Sequence, residues 1–259
     1  MLDREAVPPR RRPGLPMIPQ TSAFAAGWLA AACLAIAAPA GAQDVHGDPR
    51  TPATARVLTT TIHSGDAEEV RYVVLARLTD RYASAKGITA SQAEKDAYNK
   101  SVQDFMAQER ARQVARRDDL TRRLAAPGLA EPERKALTGE IESVNSTLAA
   151  LAEPAGASAE VNAARDQVAG AFVRQWKINR ELYRQYGGRI IFQQGGPEPL
   201  DAYRRFLEES AARGDLVILD NRLEPAFWRY YRNDTIHSFF PAGSEEAAEA
   251  FARPPWQPK

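Results

Sequence analysis

Side chains that could do acid–base chemistry are few in this sequence, and they come together in one short segment. The chain has three histidines, His46, His63 and His237, and no two of them lie within reach of each other on a single helix, as an HExxH zinc motif requires. The only plausible local cluster is His237 with Asp234, three residues before it, and Glu224 further upstream. A hydrolase or lyase built around these three side chains is one hypothesis. The alternative, which we favour, is a hydrogen-bonded histidine without catalytic duty.

A glycine-rich turn follows the short apolar run at Arg189–Gln194 and raises the question of a phosphate site. Such sites combine glycine amides and a helix N-terminus with a Lys, Ser or Thr side chain. Here the sequence continues Gly-Gly-Pro-Glu-Pro-Leu-Asp, so the prolines remove amide donors while Glu198 and Asp201 bring negative charge. We therefore predict a tight turn into a proline-started helix from Glu198, and no nucleotide, cofactor or metal.

Other catalytic patterns are lacking in the sequence. There is no GxSxG motif, and the only cysteine, Cys33, lies in the N-terminal segment. The adjacent carboxylates Glu208 and Glu209 diverge by about 100° on a helix and cannot act on one bond. The arginine-rich stretch Arg110–Arg123 is interrupted by acids, and the chain carries 34 basic against 33 acidic side chains. We expect neither an enzyme nor a nucleic-acid partner.

The N-terminal segment has the layout of a secretory signal. Three arginines, Arg10 to Arg12, precede an uncharged apolar run at Ala23–Ala38, and small residues follow. We predict a signal peptide over residues 1–42, cleaved between Ala42 and Gln43, which places the mature protein in the periplasm or outside the cell. The run is shorter than the roughly 20 residues of a membrane-spanning helix. No membrane span is therefore expected after cleavage.

Helical periodicity dominates the middle of the chain. Residues 43–61 contain Gly, Pro and Thr without a helical period and predict a flexible arm. A first helix follows Asp66, and two more form an antiparallel hairpin over residues 91–151. In the second helix of the hairpin, apolar residues repeat as a heptad seam at Leu137, Ile141, Val144 and Leu148. A long helix over Ala159–Tyr186 ends at two glycines.

The last part of the chain, residues 189–259, changes character. A strand at Arg189–Gln194, a helix and a strand at Leu216–Leu219 suggest a parallel crossover. The stretch Phe227–Phe240 is dense in aromatics, which either line a groove or pack this region onto the helices. The predicted fold is mainly α: a helical domain over residues 62–188 with a projecting hairpin, and a small C-terminal α/β appendix.

One resemblance goes beyond these patterns. The stretch Glu68–Met106 resembles the N-terminal helical region of SurA-type periplasmic chaperones, through Leu75, Leu78, Tyr82, Ala83, Gly87 and Ile88 and then Thr89, Glu94 and Ala97. Trp176–Gly188 is similar to the helix that packs back onto that region. No parvulin isomerase domain is evident, and the opening strand of the family is not evident in Thr59–Ile62. The overall layout also resembles a family of uncharacterised exported proteobacterial proteins.

The resemblance implies binding of unfolded or partly folded envelope proteins in an apolar cradle, without isomerase activity. The side chains expected to line the cradle are Tyr72, Tyr82, Phe105, Met106, Trp176 and Tyr183. A different hypothesis is a structural envelope protein that forms a homodimer through the seam of the hairpin.

Overall fold

The computed structural model describes residues 45–152, 158–193, 196–241 and 243–257. The predicted signal peptide, residues 1–42, and its cleavage site lie outside these ranges. The fold is mainly helical with a small α/β part, as predicted. The helices are α1 (Ala67–Ala85), α2 (Gln92–Leu124), α3 (Glu131–Ala150), α4 (Ala159–Tyr186), α5 (Leu200–Ala212), α6 (Glu224–Arg232) and α7 (Glu245–Glu249). The strands are β1 (Val45–Gly47), β2 (Ala55–Val57), β3 (Thr60–His63), β4 (Ile191–Gln193), β5 (Gly196–Glu198) and β6 (Leu216–Ile218).

Side chains cap the starts of α1, α2 and α4. Asp66 accepts a hydrogen bond from the backbone N–H of Glu68 at 2.8 Å at the start of α1. Ser91 and Glu94 cap α2 reciprocally, each side chain accepting from the other residue's backbone N–H. Such caps satisfy amides that have no partner inside the helix.

Helices α2 and α3 form the antiparallel hairpin. Leu120 of α2 packs with Leu137 and Val144 of α3 in a buried cluster of their own, and Arg116 reaches Glu140 at 3.4 Å. At 1.5 Å per residue, α2 is about 50 Å long. The half of α2 nearer its N-terminus packs against α4 instead.

A four-stranded sheet combines the two ends of the described chain. Its order is β1-β3-β2-β6, with β1 parallel to β3 and the other pairs antiparallel. The predicted flexible arm is therefore wrong for residues 45–61, because Ala55 and Val57 are fully buried in β2. The opening strand before the first helix does exist, as β3, where Ile62 is fully buried. Burial by distant residues, which local composition does not report, orders this segment.

The C-terminal region differs from the predicted parallel crossover. Strand β4 pairs antiparallel with β5, and β6 joins β2 in the other sheet. The helix predicted from Glu198 begins at Leu200, since Pro197 and Pro199 keep this stretch extended. Gly196 has a φ of +109°, which glycine adopts without strain.

Two further cores hold the molecule together. The larger joins the sheet, α1 and the end of α4 with β4, α5 and α6. Residues on both sides of the predicted boundary at 188 thus share one core. The smaller packs Tyr98 of α2 and Trp176 of α4 against Trp256 near the C-terminus. In the aromatic stretch, Phe227 and Tyr231 are fully buried, so these rings serve packing. Within the described ranges, no helix is long and apolar enough to cross a membrane.

Candidate functional site

The six side chains predicted to line a cradle do not share one surface. Tyr72 on α1 and Phe105 on α2 are exposed, and Trp176 is buried. The remaining three, Tyr82, Met106 and Tyr183, are partly buried.

Three of the six predicted cradle residues pack inside the chain. Tyr82 meets the edge of Phe206 with 5.4 Å between ring centroids, in the larger core. Trp176 and Tyr183 belong to the smaller core, where Tyr183 lies 5.2 Å from the ring of Phe251. These rings stabilise the fold, so a binding surface has to be sought elsewhere.

Exposed apolar side chains lie on both helices where α2 runs along the start of α4. The two helices run antiparallel, because Glu94 of α2 pairs with Lys177 at 2.9 Å while Asn99, further along α2, bonds to Asp166 at 3.0 Å. Continuing in the same direction, α2 reaches the first turns of α4. The exposed side chains there are Val102 (39% exposed), Phe105 (37%) and Val161 (40%). We call these three residues the apolar strip.

Ring stacking, an ion pair and a hydrogen bond join the two helices under the strip. Tyr98 stacks on Phe172 with the ring planes 14° apart and the centroids separated by 5.5 Å. At the other end, burial alone would raise the pKa of Glu94, but hydrogen bonds from Ser91 and Lys177 outweigh burial and lower it. Lys100 and Asp104 pair at 2.8 Å on the solvent side of α2. The strip is thus an apolar surface fixed on two packed helices and bordered by paired charges.

The three side chains of the predicted catalytic cluster are not brought together. The carboxylate of Asp234 accepts from the guanidinium of Arg189 at 2.7 and 3.0 Å, which lowers its pKa. Nε2 of His237 donates to the backbone carbonyl of Tyr230 at 2.5 Å. Glu224 lies in the exposed first turn of α6, beside an open pocket of about 340 Å³. The hypothesis of an enzyme centred on Asp234, His237 and Glu224 therefore loses its geometric basis, and His237 is a hydrogen-bonded histidine.

His237 instead belongs to a polar cluster around Tyr230. The hydroxyl of Tyr230 donates to Oε2 of Glu198 and accepts from Nε2 of Gln193, both at 3.0 Å. The guanidinium of Arg71 lies 4.5 Å from the centre of the Tyr230 ring, and the ring of His237 meets it edge-on at 4.8 Å. The cluster connects α1, the β4–β5 hairpin, α6 and the segment that follows α6.

Burial sets the electrostatics of this cluster. It raises the pKa of Glu198, despite the hydrogen bond from Tyr230 and the nearby His237 and Arg71, which act in the opposite direction. Burial, with the charge of Glu198 and the hydrogen bond to it, also raises the pKa of Tyr230. Burial therefore penalises the charged form of the Glu198 carboxyl. Because the Tyr230 hydroxyl already donates one bond and accepts another, the observed role of the cluster is to join elements.

Local sequence patterns do not predict the cluster around Tyr230. The sequence predicts Glu198 at the start of a helix, and Tyr230 is one of several aromatic residues in the stretch Phe227–Phe240. The available signal was the position of Glu198 between two prolines, which keeps it out of a regular helix.

The seam predicted for dimerisation is closed within the chain. Leu137 and Val144 are buried against Leu120 of α2, while Ile141 and Leu148 pack beside them. A homodimer through this seam would have to open the hairpin first.

The chain was also compared with known proteins and searched for metal-binding geometry. No protein-family model, curated protein or solved structure matches it. In the part that the structure describes, no group of three or more His, Cys, Asp or Glu side chains is arranged to hold a metal ion.

Proposed function

We propose that this chain is an exported, chaperone-like protein that transiently binds unfolded or partly folded envelope polypeptides, without isomerase activity. The observation that carries the proposal is the apolar strip, Val102, Phe105 and Val161, on the packed α2–α4 pair. The resemblance of Glu68–Met106 to the SurA-type chaperones supports it, as does the signal-like pattern of residues 1–42.

The strip fits weak and unselective binding of apolar segments. Burying apolar surface releases about 25 cal/mol per Å², and each of the three side chains has only part of its surface left to bury. Association also costs translational and rotational freedom, so a contact of this size gives fast release. Fast release is what a protein needs if its clients must go on to fold.

The charged hairpin supports solubility beside such a strip. Ion pairs such as Arg112–Glu109 and Arg122–Asp119 cover exposed faces of α2. Alternating charges of this kind oppose self-association of an apolar surface. The strip is therefore accessible to a client, and the charged surface of the hairpin beside it opposes self-association of the protein.

The test is suppression of aggregation by the mature chain. An outer-membrane protein unfolded in urea is diluted into buffer with stoichiometric Gln43–Lys259, and light scattering is followed. We expect slower aggregation with the wild-type chain and loss of most of this effect in the double variant Val102→Ser, Phe105→Ser.

The matched control is Ile236→Ser, which removes an apolar side chain of similar exposure, 48%, outside the strip. It should suppress aggregation as the wild type does. A wild-type chain that is folded but has no effect on aggregation would overturn the proposal, and so would equal activity of the double variant.

A further inference from the structure

Strand β1 differs from the other strands of its sheet in how it is held. Neither of its side-chain-bearing residues is buried: Val45 is 50% exposed, and the side chain of His46 is partly exposed. By contrast, Thr60 and Ile62 of the neighbouring β3 are buried. Burial of apolar side chains is the main source of stability in a sheet. β1 therefore belongs to the part of the fold that opens first.

Polar contacts at the surface account for the attachment of β1. It pairs with β3 over three residues, from Val45 opposite Thr61 to Gly47 opposite His63. Nε2 of His46 lies 2.9 Å from Oε1 of Glu69, and exposed ion pairs of this type stabilise little. The loop that follows is held by Nδ1 of His63, which lies 2.6 Å from the carbonyl oxygen of Thr51.

Gly47 fits into β1 only because it lacks a side chain. Its φ is +92°, and a Cβ at this position would lie 2.3 Å from the carbonyl oxygen of His63. No backbone atom tolerates such an approach, so the strand position opposite His63 accepts glycine alone.

When β1 leaves, β3 remains in place as an open edge. β3 is paired antiparallel to β2 on its other side, and its buried side chains lie in the larger core. Its outer backbone N–H and C=O groups are then free to pair with another extended chain. Strand addition of this kind obtains affinity from main-chain hydrogen bonds and selectivity from side-chain positions.

We propose that β1 is a displaceable strand, and that the outer edge of β3 binds an extended client segment in its place, parallel to β3. The identity of the occupant as a client rests on the proposed function. The geometry also defines the preferred sequence: a basic or hydrogen-bonding side chain that reaches Glu69, followed by glycine opposite His63. β1 itself, with His46 and Gly47, is the occupant that the structure shows.

The probe is a fluorescent peptide that carries the sequence of residues 43–50, QDVHGDPR, added to the mature chain. In the wild type, β1 competes with the peptide from within the same chain. The apparent dissociation constant is therefore the intrinsic one divided by the fraction of molecules in which β1 has left the edge of β3. In Gly47→Ala the internal strand clashes with His63 while the peptide keeps its glycine. We expect the peptide to bind Gly47→Ala at least ten-fold more tightly than the wild type, as measured by fluorescence anisotropy.

Two controls make the result specific. Gly65→Ala adds a methyl group that meets nothing within 4 Å and should bind the peptide as the wild type does. The peptide QDVHADPR should not bind Gly47→Ala, because its own Cβ would meet His63. Amide hydrogen exchange should show faster exchange in β3 of Gly47→Ala, with β2 still protected.

The proposal is overturned if Gly47→Ala binds the peptide no better than the wild type, if β3 stays protected in this variant, or if the variant unfolds. Aggregation suppression reports on the proposed function separately. Tight peptide binding without suppression supports the strand edge and contradicts the chaperone role. Suppression without peptide binding leaves the chaperone role standing and removes the strand edge.

Discussion

Arg189 donates hydrogen bonds to Asp201 from both its backbone and its side chain. The backbone N–H and Nε of Arg189 each donate to Oδ2 of Asp201 at 2.9 Å. Asp201 is buried in the first turn of α5, and the same guanidinium also bonds to Asp234. One arginine thus fixes the end of α4 to α5 and to the segment after α6. Burial alone would raise the pKa of Asp201, but Arg189 outweighs it and lowers the pKa.

Removing this arginine should destabilise the fold. We expect Arg189→Ala to lower the free energy of unfolding by about 1–3 kcal/mol, because it removes the guanidinium that donates to the buried Asp201 carboxylate and keeps only the backbone N–H of residue 189. Urea denaturation measures the change. The control is Arg222→Ala, whose partner Asp220 lies 2.9 Å away on the surface, and a much smaller loss is expected there because solvent screens exposed ion pairs. Equal losses in the two variants would contradict the role assigned to Arg189.

Gly188 should tolerate no side chain. Its φ is +98°, and a Cβ would lie 2.5 Å from Cβ of Asp201. Gly188→Ala should therefore lower the free energy of unfolding by more than about 1 kcal/mol. Gly139→Ala, in the interior of α3 with nothing within 4 Å, should instead raise it by about 0.5–1 kcal/mol. Thermal melts of the two variants that shift in the same direction would refute this prediction.

Two carboxylates should shape the pH dependence of stability with opposite signs. Hydrogen bonds from Arg81 hold the pKa of Asp215 at about 2, so its stabilisation is present above pH 3.8 and is lost as the pH falls towards 2. Burial raises the pKa of Glu198, so its contribution is present below pH 4.5 and is lost as the pH rises through the raised pKa.

Substituting each carboxylate by its amide should change the pH dependence of stability in opposite directions. Glu198→Gln should gain stability relative to the wild type as the pH rises from 4 to 8, whereas Asp215→Asn should be most destabilising near neutral pH and approach the wild type in acid. Urea denaturation measures both, between pH 2 and pH 4 for Asp215→Asn and between pH 4 and pH 8 for Glu198→Gln. The same pH trend in both variants would show that the environment of Glu198 is described incorrectly.

The signal-like N-terminus makes a prediction about the mature chain. Expressed in a Gram-negative host, the protein should be recovered from the periplasm or the medium with Gln43 as its first residue. N-terminal sequencing checks this directly. Replacing Ala40 and Ala42 with bulky residues should block processing, and recovery of the unprocessed wild-type chain in the cytoplasm would contradict export.

Local patterns predicted the helices because the determinants of a helix are close in sequence. The cap at Asp66 and the repeat that includes Leu137 and Val144 are visible within a few residues. Strands of three or four residues are different, since β2 lies between its neighbour β3 and β6, which is far away in the sequence. The spacing of Ala55 and Val57 was present in the sequence, but two residues are too few to indicate a period.

The candidate site was predictable only in part, for a related reason. Of the three residues in the strip, only Phe105 is among the cradle residues that the sequence predicts. Val102 and Val161 are not predicted. Whether an apolar residue faces solvent depends on which helices pack together, and that choice involves the whole chain. Proximity in sequence suggests Asp234 and Glu224 as partners of His237, whereas the structure pairs His237 with the carbonyl oxygen of Tyr230, whose hydroxyl bonds to Glu198 from another element.

The most direct measurement of the central claim is crosslinking from the strip to a client. A photoreactive phenylalanine analogue is placed at position 105, or at position 236 as the exposed control, and each chain is illuminated with an unfolded outer-membrane protein. The account predicts an adduct from position 105 that disappears when the client is folded, and little adduct from position 236. Equal crosslinking from both positions, or none from position 105, would contradict polypeptide binding at the strip.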